Sequence, residues 1–180
     1  MTRPAIREAT PADACAIGEV HVRSWRESYR GLVPDEALTQ LDPESCAADW
    51  QIRLLNLTPP ACCFVSVDDA GQVTGFIHAG PARDFDLAAG AEVYAIYLLA
   101  HVKRQGVGRA LMLSAASRMR EAGFRSLCLW FLRGNPAQAF YERFGGRVGI
   151  ERPYSRFGFT LPSLGCAWND IDALIAALDT

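Results

Sequence analysis

The chain has 180 residues, of which 50% are hydrophobic and 21% are charged, a composition that excludes a disordered, collagen-like or coiled-coil protein. Its length predicts one compact domain over residues 1–180. The net charge of −2 comes without a basic block, so no nucleic-acid partner is expected. No stretch approaches the roughly 20 apolar residues of a membrane span, and the first residues lack the apolar core of a signal peptide. These features predict a cytoplasmic protein that binds no membrane.

The six cysteines predict neither disulfides nor a metal site. A domain of 180 residues can bury a sizeable core without disulfide bonds. No Cys-x-x-Cys pair occurs, and His21, His78 and His101 show no ligand spacing. We therefore expect reduced thiols and no bound metal.

The first third of the chain is predicted to be helical. Thr10 and Pro11 form a typical helix start, and residues recur at helical spacing over 14–30 before Gly31 breaks the pattern. Short helical pieces follow, with turns at Pro34 and Pro43. Another helix is predicted over 45–57, and the prolines at 59 and 60 end it.

The rest of the chain alternates between strands and helices. Two short strands over 62–67 and 73–79 are separated by residues typical of a hairpin turn. The helix over 106–122 has one apolar face and is followed by Gly123, a typical C-terminal cap. The other predicted elements are strands over 92–100, 126–132, 147–151 and 157–161, and helices over 136–144 and 171–178. This order predicts a mixed α/β fold.

A glycine-containing turn over 103–109 joins the third strand to its helix. Glycines allow close approach of backbone N–H groups, and a helix start favours an anion such as phosphate. Taken alone, the turn is equally typical of a tight connection that binds nothing. An ATPase phosphate loop is excluded because Arg109 follows Gly108 where lysine is required, and a dinucleotide fingerprint is excluded because Leu111 stands where glycine or alanine is needed.

Two motifs in this region together resemble those of the GNAT superfamily of acetyl-CoA-dependent N-acetyltransferases. The first is Lys103-Arg-Gln-Gly106-Val-Gly108, similar to the family's Gln/Arg-x-x-Gly-x-Gly/Ala pattern after a strand. The second is Asn135, followed by Phe140-Tyr141-Glu142 before a glycine break. The resemblance covers about 6–161 and leaves a C-terminal extension over 162–180. Lys103 departs from the pattern, since it keeps the charge but lacks the fork of donors that arginine has.

The resemblance implies a mixed α/β sheet whose splayed central strands admit acetyl-CoA and are flanked by helices. The pyrophosphate of acetyl-CoA would lie over the backbone amides of the turn, and the pantetheine arm would pair like an added strand with the central strand. The turn residues concerned are Lys103, Arg104, Gln105, Gly106, Val107, Gly108 and Arg109. The strand residues are Ile96, Tyr97 and Leu98, and Asn135 would bind the arm from the other side.

The resemblance also implies direct transfer, in which the amine loses a proton and the departing thiolate gains one. Glu92 matches the position of a general base in some relatives, although a solvent-facing charge at a strand end is the plainer interpretation. Tyr141 resembles the family's general acid, although a core aromatic with a polar tip fits its helical face as well. His78 is a weaker candidate base.

The predicted function is therefore acetyl transfer from acetyl-CoA to a primary amine of a small molecule or peptide. Two alternatives stay open: a non-catalytic acyl-CoA sensor or scaffold, and an acetyltransferase acting on protein N-termini or lysines. A homodimer is possible for this family. Trp25 and Tyr29 would wall the acceptor pocket if they do not simply pack in the core. The acidic residues Glu27, Asp35, Asp84 and Asp86 would either favour cationic acceptors or form ordinary surface charge.

Overall fold

The computed structural model describes residues 5–180, which form a seven-stranded sheet with helices on both faces. The strands are β1 (Ala5–Glu8), β2 (Cys62–Val67), β3 (Val73–Pro81), β4 (Ala91–Leu98), β5 (Leu127–Leu132), β6 (Arg147–Arg156) and β7 (Phe159–Trp168). The helices are α1 (Ala14–Ser28), α2 (Asp35–Thr39), α3 (Pro43–Leu55), α4 (Val107–Glu121), α5 (Gln138–Arg143) and α6 (Ile171–Asp179). No helix within residues 5–180 is long and apolar enough to cross a membrane.

The order of the strands across the sheet is β1-β2-β3-β4-β5-β7-β6. All neighbours are antiparallel except β4 and β5, which are parallel. These two strands pair only from Ala91–Leu127 to Val93–Leu129 and then separate. The predicted mixed α/β sheet with splayed central strands is confirmed.

Side chains on β4 alternate between the two faces of the sheet. Val93, Ile96 and Leu98 pack into the core that α4 and α6 cover. Ala95 and Tyr97 face the opposite side, where they contact the cluster beneath α1 and α3. From Ala95 to Leu98 the side chains alternate between the two helical layers, and the register shift opposite His78 and Ala79 places Val93 on the same face as Ile96.

The C-terminal hairpin is longer than the sequence predicts. Instead of strands over 147–151 and 157–161, β6 and β7 each have ten residues and meet at a turn where Phe157 and Gly158 have φ of 51° and 76°. Prolines indicate breaks in a strand, yet Pro153 and Pro162 lie opposite each other in this hairpin. Pro162 is tolerated because β5 pairs with β7 only as far as Ser163.

The longer β7 brings residues 162–168 into the sheet between β5 and β6. The short strand β1 is also absent from the sequence-based assignment. It is only four residues long, Ala5–Glu8, and mostly exposed, so it lacks the alternating burial that identifies a strand.

Candidate active site

The separation of β4 and β5 opens a gap in the middle of the sheet. A small cavity of about 30 Å³ lies in this gap, where Tyr29, Asn135 and Tyr141 meet the two strands. Beyond Val93, no strand in the described part of the chain pairs with the β5-facing edge of β4. Ile96 and Tyr97 lie on this unpaired stretch, whereas the Leu98 carbonyl accepts a hydrogen bond of 2.9 Å from the Ser24 hydroxyl. The gap therefore offers an edge to which an extended ligand can add.

The turn over 103–109, which we call the glycine turn, presents free backbone donors. Arg104 and Gly106 have φ of 62° and 85°, so successive peptide groups turn toward one side. The backbone N–H of Ala110 reaches the Gly106 carbonyl at 2.9 Å, while the amides just before it lie at the open start of α4. Such a start is a binding site for an anion.

The charges around the glycine turn support an anion ligand. A helix start is normally stabilised by acidic residues, but α4 has none in its first turn. Lys103, Arg104 and Arg109 are instead exposed there. The Lys103 ammonium is directed to α1, where it donates to the Ser28 hydroxyl at 3.0 Å. The backbone amides and the two arginines therefore remain for a ligand.

The other two side chains of the glycine turn have structural partners. The Gln105 amide donates to the His101 carbonyl at 2.6 Å. Val107 is only 6% exposed and packs in the core beneath the sheet. At Gly108 an added Cβ would meet Leu98 and Phe140 at ordinary contact distances. These residues therefore contribute their backbone rather than their side chains to a ligand site.

Asn135 ties the start of α5 to α1. Its Oδ1 accepts a hydrogen bond of 2.9 Å from the backbone N–H of Ala137, and its Nδ2 donates to the Tyr29 hydroxyl at 2.9 Å. The side chain is thus fixed at the border of the gap. Tyr29, which the sequence suggests as a pocket wall or a core residue, lies at this same border.

Tyr141 lies against the core with its ring among aromatic neighbours. The residue is 5% exposed, and its ring contacts those of Phe131, Phe140 and Trp168. Burial raises the pKa of its hydroxyl well above the usual range, so the group is protonated at neutral pH. Because Tyr141 also lines the gap, it combines the packing role and the candidate proton-donor position that the sequence left as alternatives.

Glu92 is buried and held by Arg83. Its side chain is 2% exposed, so it is not the solvent-facing charge that a strand end often carries. The carboxylate accepts hydrogen bonds from the Arg83 backbone N–H at 3.1 Å and from the guanidinium, which forms a close ion pair with it. Arg83 in turn lies over the Tyr94 ring at 4.9 Å. The ion pair therefore fixes the position of the Glu92 carboxylate beside Arg83.

A large cleft of about 760 Å³ adjoins the gap. It lies between α1 and α3 on one side and the β6–β7 hairpin on the other. Within it the His21 ring stacks on Tyr97 at 4.7 Å and accepts a hydrogen bond from Trp50 Nε1 at 3.1 Å on Nδ1. Burial, with help from Arg156 and Arg53, lowers the pKa of His21 to about 3. The ring is therefore neutral, and Nε2 carries its proton.

His78 is a poor base in this environment. Its ring packs against those of Trp50 at 5.6 Å and Tyr94 at 4.9 Å. Burial, followed by the charges of Arg53 and Arg83, lowers its pKa to about 4. A neutral imidazole of such low basicity takes up a proton less readily than an ordinary histidine.

Of the four acidic residues that the sequence offers as attractors of a cationic acceptor, Asp84 lines the large cleft but is paired there with Arg152, and the other three do not line it. Arg152 Nη1 donates to Asp84 at 2.6 Å and to Asp86 at 3.1 Å. Glu27 pairs with Arg23 and accepts from the Ala100 backbone N–H, and Asp35 begins α2. That expectation therefore loses its support.

Sequence reasoning missed the arginines of the large cleft, which come from three separate regions of the chain: α3, the loop after β3, and β6. These residues are Arg53, Arg83, Arg152 and Arg156. Their only sequence signal is the spacing of Arg152, Tyr154 and Arg156, which places alternate residues of β6 on one face.

The buried cysteines are poor nucleophiles. Burial raises the pKa of Cys62 to about 11 and those of Cys63, Cys128 and Cys166 to about 12. All six cysteines of the chain are free thiols. The buried four therefore stay protonated at neutral pH and act as small apolar side chains.

Comparison with known proteins agrees with this geometry. Residues 21–146 match the model of the acetyltransferase (GNAT) family. The chain belongs to that family. It is 34% identical over 174 residues to YuaI of Bacillus subtilis strain 168, described as an uncharacterized N-acetyltransferase, covering 97% of this chain and 98% of YuaI. The protein is accordingly an acetyl-CoA-dependent N-acetyltransferase.

Solved structures show the same GNAT fold at lower identity. A GCN5-related N-acetyltransferase from Rhodopseudomonas palustris superposes with a TM-score of 0.74 at 17% identity, covering 93% of this chain and 96% of the other. A phosphinothricin acetyltransferase from Sinorhizobium meliloti, solved with acetyl-CoA, gives a TM-score of 0.69 at 23% identity and covers 93% and 88%. The open amides of the glycine turn and the free edge of β4 fit such a coenzyme.

Proposed function

We propose that this GNAT protein transfers the acetyl group of acetyl-CoA directly to a primary amine of a small molecule or peptide in a ternary complex. The observation that carries the proposal is the junction between the gap and the large cleft. The same residues line both spaces, namely Tyr29, Tyr94, Ala95, Tyr97, Trp130 and Phe131. A thioester entering through the gap and an amine entering through the large cleft would meet at this junction.

The coenzyme is held mainly by backbone groups in this proposal. The amides of the glycine turn, with Arg104 and Arg109 beside them, bind the pyrophosphate. The free edge of β4 at Ile96 and Tyr97 pairs with the pantetheine arm, and Asn135 closes the other side. When bound, acetyl-CoA supplies an activated acetyl thioester, so no nucleophile from the protein is needed.

Tyr141 and Glu92 handle the two protons. The high pKa of Tyr141 keeps its hydroxyl protonated until a strong base, such as a departing thiolate, is formed beside it. Glu92 receives the proton of the amine. Arg83 donates two hydrogen bonds to each oxygen of the Glu92 carboxylate, so a water or the amine itself would have to replace one of these donors to reach the carboxylate.

The test has a binding step and a turnover step. Calorimetry should show one acetyl-CoA site per chain, and a panel of primary amines should release free thiol from acetyl-CoA in proportion to acetylated product. Binding of acetyl-CoA without turnover of any amine or peptide would replace the proposal with a non-catalytic sensor. Turnover confined to folded proteins or long peptides would replace the small acceptor with a protein acceptor.

A further inference from the structure

Arg156 occupies an unusual position in the large cleft. It is the last residue of β6, half-buried, with its guanidinium over the rings of Trp25 at 4.9 Å and Phe157 at 4.7 Å. Its Nη1 reaches the Tyr154 hydroxyl at a long 3.4 Å. The aromatic rings hold the flat face of the guanidinium, which leaves its N–H edge for a ligand.

No carboxylate within residues 5–180 forms an ion pair with Arg156. Within the large cleft, Arg83 pairs with Glu92 and Arg152 pairs with Asp84 and Asp86. Arg53 also lacks an ion pair, but it is exposed to solvent, whereas Arg156 is half-buried. A half-buried arginine without an anionic partner gives up hydration without compensation. Such a residue is expected where a ligand provides the missing negative charge.

His21 provides a second unsatisfied donor in the same cleft. Trp50 donates to His21 Nδ1, so the proton of the neutral ring resides on Nε2. That nitrogen is buried and has no partner among the described residues. Arg156 and His21 both line the large cleft, and burial followed by the charge of Arg156 lowers the pKa of His21. Both groups call for an acceptor of hydrogen bonds.

Direct contacts connect this donor pair to the gap. The Trp25 ring that supports Arg156 packs edge-on against Tyr29 at 4.8 Å. Tyr29 accepts the hydrogen bond from Asn135 at the border of the gap. Arg156 and the proposed meeting point of the substrates therefore lie at two ends of one packed row of side chains.

We infer that the acceptor is a small primary amine that also carries an anionic group, most simply a carboxylate as in an amino acid, and that Arg156 binds this group. The inference rests on the proposed function and names the substrate class of that site. The large cleft has the volume of a small-molecule pocket. Its walls of helix on one side and hairpin on the other favour a small acceptor over a protein surface.

The test compares each L-amino acid of a panel with its α-carboxamide, which keeps the amine and removes the charge. For the best pair, wild-type protein should show a kcat/KM about 10- to 100-fold higher for the acid, the value of one charge-assisted hydrogen bond. Arg156→Gln should bring that ratio close to 1 by raising KM for the acid, and Arg156→Lys should restore part of it. 2-Aminoethylphosphonate, compared with ethylamine, tests whether a phosphonate replaces the carboxylate.

Arg147→Gln is the matched control, since Arg147 is an exposed residue of the same strand outside the large cleft. It should leave the ratio unchanged, and thermal unfolding with and without acetyl-CoA should show that each variant is folded. A wild-type ratio near 1 with active turnover of neutral amines would overturn the inference and leave the acetyltransferase proposal standing. Absence of acetyl-CoA binding and of all turnover would instead remove both.

Discussion

The glycine turn and the large cleft are built from the chain in different ways. The glycine turn is one continuous segment that offers backbone N–H groups at the start of α4. The large cleft takes its side chains from α1, α3, β3, β4, β5 and the β6–β7 hairpin. A site formed by one short continuous segment can be recognised as a motif in the sequence, whereas a site whose side chains come from distant elements cannot.

This difference separates what the family shares from what the individual protein selects. Backbone amides can bind a pyrophosphate whatever the neighbouring side chains are, so in the proposed site Lys103 would be tolerated in place of the usual glutamine or arginine. The large cleft depends on side-chain identity, and its unpaired Arg156 is a property of this chain. Substitutions in the gap should therefore change the rate of acetyl transfer. Substitutions in the large cleft should change the preference for the acceptor and the stability of the fold.

The largest expected effect comes from Tyr141, which lines the gap between β4 and β5. Tyr141→Phe removes the hydroxyl but keeps the ring that packs on Phe131 and Trp168. We expect kcat to fall by about 10²- to 10⁴-fold, the usual contribution of a general acid. Thiol-release kinetics measures the rate, and calorimetry should give an unchanged affinity for acetyl-CoA. Full activity in the variant would leave Tyr141 with a packing role alone.

Glu92→Gln is the next largest change, because it keeps the shape of the side chain and removes its charge. We expect kcat to fall about 100-fold if Glu92 takes the proton of the amine. Arg83→Gln breaks the same ion pair but keeps the carboxylate, so its kcat should fall less. Equal losses of kcat and of unfolding free energy in the two variants would show that the pair is only structural.

The sequence predicts the glycine turn and α4 well because their signals are local. The glycine positions, the start of α4 and the Asn135–Tyr141 spacing can all be read from short segments, and the mixed sheet follows from the order of elements. The length of the β6–β7 hairpin could not be predicted, because Pro153 and Pro162 lie opposite each other only after the hairpin has formed. The pairing of Arg152 with Asp84 and Asp86 could not be predicted either, because these residues are 66 to 68 positions apart in the sequence and meet only in the folded chain.

The two histidines of the large cleft, His21 and His78, should make the stability of the protein depend on pH. The folded protein keeps His21 and His78 neutral down to about pH 3 and pH 4, whereas in the unfolded chain they bind protons below about 6.5. The unfolded state therefore gains protons as the pH falls from 7 to 5, and the free energy of unfolding should decrease by about 2 kcal/mol for each histidine. Asp13, whose pKa is lowered to about 2, contributes only at lower pH.

Urea unfolding at pH 7 and pH 5 measures this decrease in wild type and in His21→Gln. The glutamine carbonyl can still accept from Trp50, but the side chain does not titrate. The variant should lose about half of the pH dependence whatever its stability at pH 7. An unchanged pH dependence would mean that His21 is solvated and charged in the folded protein, which would also weaken its role as a neutral donor beside Arg156.

The smallest effect is expected from a substitution that changes only the backbone conformation of the glycine turn. Gly106 has φ of 85° and open space where a Cβ would be, so Gly106→Ala introduces strain without a clash. We expect unfolding to become easier by about 1 kcal/mol and the affinity for acetyl-CoA to fall, because relief of the strain turns the amides away. Gly149→Ala is the control, since it also adds a methyl group in open space but without a positive φ. If both variants bind acetyl-CoA as tightly as wild type, the left-handed conformation at Gly106 is not what aims the donors, and the coenzyme side depends on Arg104 and Arg109 more than on its backbone.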